Sequence, residues 1–474
     1  MIDRRELLGR AGLMAAAAAL PGPALAAAQP DWFAAVGDVA GDIAPHALSR
    51  IHGRAPADLA GTLYRNGPAR FRLGGTAVGH WFDGDGLIRA WSLRDGQASL
   101  RARFVETVKR RIDSKAGAMV QPGFKTHGRP GAVVGSADDT NAANTSVIAA
   151  GGQLLALWEA GSAYALDPET LATKGPVTFK PELAGMPFLA HPRIEPDGRI
   201  WNLGMGGKRA FVWRLSKDGK FEAGQAIALP MASYAHDFTA TARHLVIVLQ
   251  PWVQERDVLP FADAMVWRPE LGTKILVIDK ADLSKRRVFE LPPLFFFHLG
   301  DAWEEADGTI RFDGCFDTDA SFVSNAASAL VEGRFVRAEK PMLKLVTLRP
   351  DGRAELGDAG ITAEFPRNDP ALAGLARSRT VHVGGYRTDR PFARSIGIWD
   401  WQSGRDDAHD FGAQQIVEEF VPVGRWLIGT TINMAVGATE LHVLDARRVA
   451  DGPVVSWRAS MALPHSFHGT WVAA

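Results

Sequence analysis

Ile88-Arg-Ala-Trp-Ser-Leu-Arg-Asp-Gly-Gln-Ala-Ser-Leu-Arg-Ala-Arg-Phe-Val105 decides the fold. Two alternating runs flank Asp95-Gly96, a dipeptide favoured in two-residue hairpin turns. The unit returns at 163–177 around Asp167-Pro168, at 211–227 around Asp218-Gly219 and at 275–291 around Asp279. It returns again at 343–356 around Asp351-Gly352, at 396–411 around Asp400 and at 441–457 around Asp445. From Asp95 to Asp445 the spacing averages about 58 residues, the length of a propeller blade with inserted loops. A sandwich or two stacked β-domains is the competing architecture, but no linker breaks the series. The pattern predicts an all-β chain folded as a seven-bladed β-propeller, whose inner strands converge on one axis. Residues 121–144 and 250–272 are longer than blade loops need to be. Long ordered loops are usually functional, so these are predicted to roof a site on one face.

Lys plus Arg and Asp plus Glu are both 53, so no net field favours nucleic acid. Cys315 is the single cysteine, which excludes an internal disulfide and a cysteine metal cage. Residues 1–26 read as a twin-arginine signal peptide: Arg4-Arg5, an apolar run at 11–20, then Ala24-Leu25-Ala26. The run is too short for a permanent membrane span. The expectation is export of a folded, metal-loaded protein to the periplasm, with 27–474 as the mature domain.

Four histidines sit in similar company. His191 follows Met186-Pro-Phe-Leu-Ala190, and His236 lies in Ser233-Tyr-Ala-His-Asp237. His298 ends Leu294-Phe-Phe-Phe297, and His468 lies in Pro464-His-Ser-Phe-His-Gly-Thr-Trp471. Neutral imidazole is the commonest metal ligand. No short metal motif joins residues so far apart, and only a fold that returns the chain to one axis would gather them.

Further stretches, in order, are Gly61-Thr-Leu-Tyr-Arg-Asn-Gly-Pro68, His80-Trp-Phe-Asp-Gly-Asp-Gly86, Asn144-Thr145 and Leu155-Ala-Leu-Trp-Glu159. Then come Ala165-Leu-Asp-Pro-Glu-Thr-Leu171, Ala190-His-Pro192, His236-Asp-Phe238, Trp267-Arg-Pro-Glu-Leu-Gly272, Phe297-His298 and Phe467-His-Gly469. Over nearly the whole mature chain this set resembles the carotenoid cleavage oxygenases. The resemblance implies a seven-bladed propeller with a loop or helical roof over an axial iron. It implies one Fe(2+) per subunit held by His191, His236, His298 and His468. It also implies carboxylates that accept hydrogen bonds from the ligand rings: Glu159, Glu364 in Ala363-Glu-Phe-Pro366, and Glu419 with Glu418 as the alternative. The last pair stays open because Val417-Glu-Glu-Phe-Val-Pro422 is shortened against the family pattern. An acid placed after the apolar run 154–158 is also read as having a buried partner. His465 is expected to shape the site without binding metal, and His80 to serve a turn or blade closure. Lys109-Arg110-Arg111 is expected in a solvated loop.

The implied activity is a dioxygenase that uses O2 to cleave a carbon–carbon double bond of a carotenoid or apocarotenoid into two carbonyl products. The alternatives are a lignostilbene-type dioxygenase acting on phenolic stilbenes and a propeller that binds an apolar ligand without turnover. Phe104 falls where a stilbene cleaver is expected to place a phenol-binding tyrosine, which leans towards carotenoids, while Lys125 remains available as the accompanying lysine. Phe295, Phe296, Phe297, Trp252, Phe261, Met265 and Trp267 are offered as tunnel lining. Peripheral membrane contact is left open as a route of substrate uptake.

Replacing both Arg4 and Arg5 by lysine is expected to leave iron-loaded precursor in the cytoplasm. Cell fractionation checks this, and normal periplasmic delivery of the double variant would count against it.

Overall fold

The computed structural model describes residues 29–376 and 379–474, so the segment read as a signal peptide lies outside the described residues. All seven hairpins form at the turns that the sequence marked. Leu87–Arg94 pairs with Gln97–Phe104, Tyr164–Leu166 with Thr173–Pro176, Arg209–Leu215 with Phe221–Ala228, and Thr273–Asp279 with Arg286–Leu291. Met342–Leu348 pairs with Ala354–Arg367, Ser395–Asp400 with Arg405–Asp410, and Ala438–Asp445 with Pro453–Arg458. At Asp95-Gly96 both residues take positive φ, 50° and 71°. The mirror-image turn requires this, and its twist matches that of the flanking strands.

Each hairpin is extended inward to a blade. Five blades are separate sheets. The fifth and sixth in chain order are fused into one seven-stranded sheet, because Ala354–Arg367 is the outer strand of one and the inner strand of the next. The inner strands of the blades are Gly469–Ala473, Ser146–Ala150, Arg193–Ile194, Thr239–Ala240, Phe295–Glu304, the end of Ala354–Arg367, and Gln415–Val423.

The two chain ends close the ring. Gly469–Ala473 pairs with Gly61–Arg65 as the innermost strand of the first blade. Ile43–Ala47 and Ser49–Gly53 then add outermost strands to the first and last blades, on Gln97–Phe104 and Pro453–Arg458 respectively. Pairing at both rims leaves fewer open strand edges. Trp91, Leu63, Leu100, Val443 and Trp457 fill the seam between these two blades.

Three departures from the sequence reading bear on the site. Residues 250–272 carry a β-ribbon, Trp252–Gln254 against Met265–Trp267. Lys109-Arg110-Arg111 is not a solvated loop. It lies in the helix Val108–Ala116, capped by Thr107, whose hydroxyl accepts from the Arg110 amide. Lys109 is 1% exposed and its Nζ is held by Asp113 Oδ2 at 3.0 Å and Asp85 Oδ1 at 3.3 Å. A run of basic residues hides this, since the buried lysine is balanced by Asp85 from another segment together with Asp113 one helical turn on. The third concerns position only: the loop or helical roof that the resemblance implied includes a helix, Phe322–Ala326 continuing as Ala327–Val331, in a segment that the sequence reading did not assign to it.

Trp457 is 0% exposed at the closing seam. Trp457→Ala is expected to destabilise the chain by about 3–5 kcal/mol. Denaturant unfolding of the purified protein measures this, and a loss near zero would mean that the seam does not hold the ring.

Candidate metal centre

The inner strands deliver the histidines. Arg193–Ile194 and Thr239–Ala240 begin just after His191 and His236; His298 lies within Phe295–Glu304, and Gly469–Ala473 begins directly after His468. One ring nitrogen from each lies within 4.8 Å of the others. His191 Nε2 and His236 Nε2 are 3.0 Å apart.

Three glutamates stand behind three of the rings. Glu159 accepts from His236 Nδ1, Glu364 from His298 Nδ1 at 2.5 Å and Glu419 from His468 Nδ1 at 2.9 Å. The open choice between two acids falls to Glu419. Glu418 instead accepts from Ser466 Oγ at 2.8 Å, the Ser466 amide and the Thr430 hydroxyl. A carboxylate only accepts, so it fixes the proton of each ring on Nδ1 and leaves Nε2 as a bare lone pair facing the centre. His298 Nε2 is buried without a hydrogen-bond partner among the described residues. Three ring acceptors converging on one point with the His191 ring beside them fit a cation.

Electrostatics agree. Burial holds His191 and His468 well below the usual imidazole range, and the neighbouring imidazoles push them further. At His298 burial also disfavours charge, but Glu364 offsets it and the pKa is raised. A cation at the centre would keep that ring neutral.

A set of buried polar residues fixes the frame. Asp237 accepts from Arg193 Nη2 at 2.7 Å and from the Leu299 amide at 2.9 Å, tying together the segments that carry His191, His236 and His298. Arg65 is 0% exposed and donates to Glu419 Oε2 at 3.2 Å, Ser466 Oγ at 3.0 Å and Phe467 O at 3.1 Å. The Asn66 amide donates to His468 O at 2.9 Å. The motif at 61–68 therefore clamps the C-terminal stretch to its acid. Tyr234 Oη donates to both Glu159 oxygens at 2.8 Å. Sequence reasoning missed Arg65, Tyr234 and Asp237. The closeness of Tyr234 and Asp237 to His236 in sequence was the available signal.

The motif at 80–86 holds the roof. His80 Nδ1 accepts from the Phe82 amide at 3.1 Å, so Nε2 donates to Val323 O at 3.0 Å on the roof helix. Burial pushes its pKa down to about 3. Asp83 takes the Lys125 amide at 3.1 Å and the Thr126 hydroxyl at 2.6 Å, and Asn144 Nδ2 donates to Phe82 O at 2.8 Å.

The cluster divides two spaces. On one side is an apolar cavity of about 110 Å³, walled by Trp81, Phe82, Phe124, Trp158, Phe297 and Phe392 among others. On the other is a polar space of about 430 Å³ bordered by Arg193, Glu195, Lys280, Asp301 and Arg367. His298 and His468 border both. His465 lies in the cavity wall, stacked on Phe392 at 5.2 Å between ring centres, and stands outside the metal cluster.

Several lining expectations fail. Of the seven aromatic and methionine residues offered, only Phe297 lines the cavity. Trp252, Phe261, Met265, Trp267 and Phe295 form the packed layer behind it, and Phe296 faces the opposite way into the core between blades. Alternation along Phe295-Phe296-Phe297 forces that split. Phe104 is buried against Ala69 and Leu87, stacked under Arg110, and does not reach the cavity. Lys125 donates to Ser324 O and does not line it either. The preference for carotenoids drawn from Phe104 therefore has no structural basis.

Against known families, the model described as retinal pigment epithelial membrane protein matches residues 38–473. The chain belongs to this family, the carotenoid cleavage oxygenases. An apocarotenoid-15,15'-oxygenase from Synechocystis is 28% identical over 89% of this chain and 92% of its own length. Resveratrol cleavage oxygenase 1 from Aspergillus fumigatus is also 28% identical, over 89% and 91%. The solved Synechocystis apocarotenoid oxygenase, as a Glu-to-Gln variant, superimposes with a TM-score of 0.84 at 23% identity, covering 94% of this chain and 98% of its own. The protein is an oxygenase, and the four-histidine cluster in a chain of this family supports one iron per subunit.

Losing an outer carboxylate typically costs roughly 10–100-fold in metal affinity or activity. Glu159→Gln, Glu364→Gln and Glu419→Gln are each expected to lower iron retention or rate by about that factor without unfolding the chain. Glu418→Gln is expected to fall outside that range on both readouts. Iron per chain and turnover decide between the neighbours, and the reverse order at 418 and 419 would contradict the hydrogen bonding.

Proposed function

We propose that the protein is a non-haem Fe(II) dioxygenase that cleaves a carbon–carbon double bond of a carotenoid or apocarotenoid, giving two carbonyl products. His191, His236, His298 and His468 are the proposed iron ligands, with Glu159, Glu364 and Glu419 as their hydrogen-bond acceptors. The observation that carries the substrate class is the cavity beside the histidines, whose wall is mostly aromatic and aliphatic.

Iron supplies dioxygen binding and the oxygen chemistry. The chain's residues do the rest. The three carboxylates hold the Nδ1 protons of His236, His298 and His468 and so aim three ring nitrogens at one point, with His191 completing the set. Phe297, Phe365 and Phe467 line the cavity beside the ligand rings, where they can lie against a flat conjugated chain and exclude water. The reaction joins one O2 to one double bond and needs no external reductant.

A phenolic stilbene is the rival substrate, and one observation favours it: Tyr386 and Lys340, a hydroxyl and an ammonium, both line the same cavity. Periplasmic delivery through residues 1–26 is part of the proposal and rests on the sequence alone. Among the described residues no helix is long and apolar enough to cross a membrane.

His191→Ala, His236→Ala, His298→Ala and His468→Ala are expected to abolish iron binding and cleavage, while His465→Ala keeps near-stoichiometric metal. Wild-type enzyme is expected to show higher kcat/KM on a long polyene than on a 4-hydroxystilbene. Iron-depleted His465→Ala beside iron-loaded His468→Ala would overturn the ligand set. A higher kcat/KM on the stilbene would overturn the substrate class.

A further inference from the structure

The aromatic cavity is not apolar throughout. Asp317, Lys340 and Tyr386 enter its wall from three different segments, with the exposed Glu339 beside them. Asp317 is 7% exposed, and its Oδ1 has no hydrogen-bond partner among the described residues. A buried carboxyl oxygen left unmatched is costly, so a native fold that keeps one in a cavity wall has a use for it. Lys340 turns its ammonium to Pro391 O at 3.3 Å and lies 5.3 Å from the Tyr386 ring centre. Its three donors are not used up by one carbonyl.

Protonation makes the group a set of donors. Burial first, and Glu364 second, pushes the Asp317 carboxyl well above the usual carboxylate range. Burial likewise raises Tyr386 well above the usual phenol range. Tyr386 therefore keeps a proton to give near neutral pH, and the Asp317 carboxyl is shifted towards its protonated, donating form. Glu364 lies near Asp317 and Tyr386, and Glu339 near Asp317, so a ligand carboxylate would be repelled there. A neutral oxygen meets no such penalty.

Position supplies the last element. Asp317 pairs with Phe295, three residues before His298 on the same inner strand. Along the strand this is about 10 Å of backbone at regular rise, across the irregularity between Phe296 and Leu299. The group therefore enters the wall from a stretch beyond the ligand ring, where the far end of an extended substrate would lie.

We propose that Asp317, Lys340 and Tyr386 form a docking site for the neutral oxygen end, aldehyde or hydroxyl, of an apocarotenoid. The site fixes which double bond lies at the iron. It deepens the apocarotenoid reading above and rests on it.

The test is binding to iron-loaded protein kept free of dioxygen, read by quenching of tryptophan fluorescence, since Trp81 and Trp158 line the cavity. The probes are an apocarotenoid aldehyde, the alcohol made from it by reduction, and a hydrocarbon polyene of equal length. Wild type binds both oxygenated probes more tightly than the hydrocarbon. Asp317→Leu, Lys340→Met and Tyr386→Phe each weaken the oxygenated probes about threefold to tenfold, the effect of one lost hydrogen bond, and leave the hydrocarbon unchanged. Asp317→Asn, which keeps a donor and an acceptor, retains most of the affinity. In air the first three variants raise KM for the aldehyde and hold kcat. Iron content checks that each variant is intact. Wild-type affinity blind to the end group overturns this inference, and that comparison needs no variant. Cleavage of a stilbene with no polyene cleaved would instead overturn the reading on which it rests.

Discussion

A buried imidazole with a carboxylate behind it is the contact on which the site depends. Imidazole has two nitrogens, and in a buried site each needs a partner. Giving Nδ1–H to Glu159, Glu364 or Glu419 settles the tautomer and aims Nε2 at the centre. The arrangement also places negative charge behind the rings, which favours a cation at the centre and, at His298, raises the pKa without one. Glu419 is itself compensated by Arg65, both 0% exposed. The pair would be expensive if either partner were lost.

Those contacts join elements far apart in sequence, and the one between Glu419 and His468 spans the seam that closes the ring. Its closure is done twice, by the C-terminal strand inside the first blade and by the N-terminal strands outside the first and last. Arg65 and Asn66 connect that closure to the chemistry, because they bond Glu419, Phe467 and His468 directly. The same chain ends that complete the propeller complete the centre.

The propeller was legible because hairpin turns and alternation are local signals, and all seven units sit where Asp-centred turns placed them. The histidines were legible through motifs, and closure brings them together. The third acid was not, since Glu418 and Glu419 are neighbours on one strand and only the facing of the pleat separates them. The cavity wall was least legible. Phe296 differs from Phe297 only by parity, and Phe392 and Phe322 come from segments without any period to read. Lys109 was misplaced because Asp85 reaches it only through the tertiary fold and Asp113 only through a helix that the sequence reading took for a loop.

The centre separates an aromatic cavity from a space bordered by more charged residues, and the aromatic side is the better match to an apolar chain. All of this rests on the four imidazoles being the metal's protein ligands and the acids standing behind them. X-ray absorption at the iron edge of the holoprotein tests it most directly. The account predicts nitrogen scattering from four imidazoles and no protein carboxylate bound to iron. Fewer than four imidazoles, or a coordinated Glu159, Glu364 or Glu419, would contradict it.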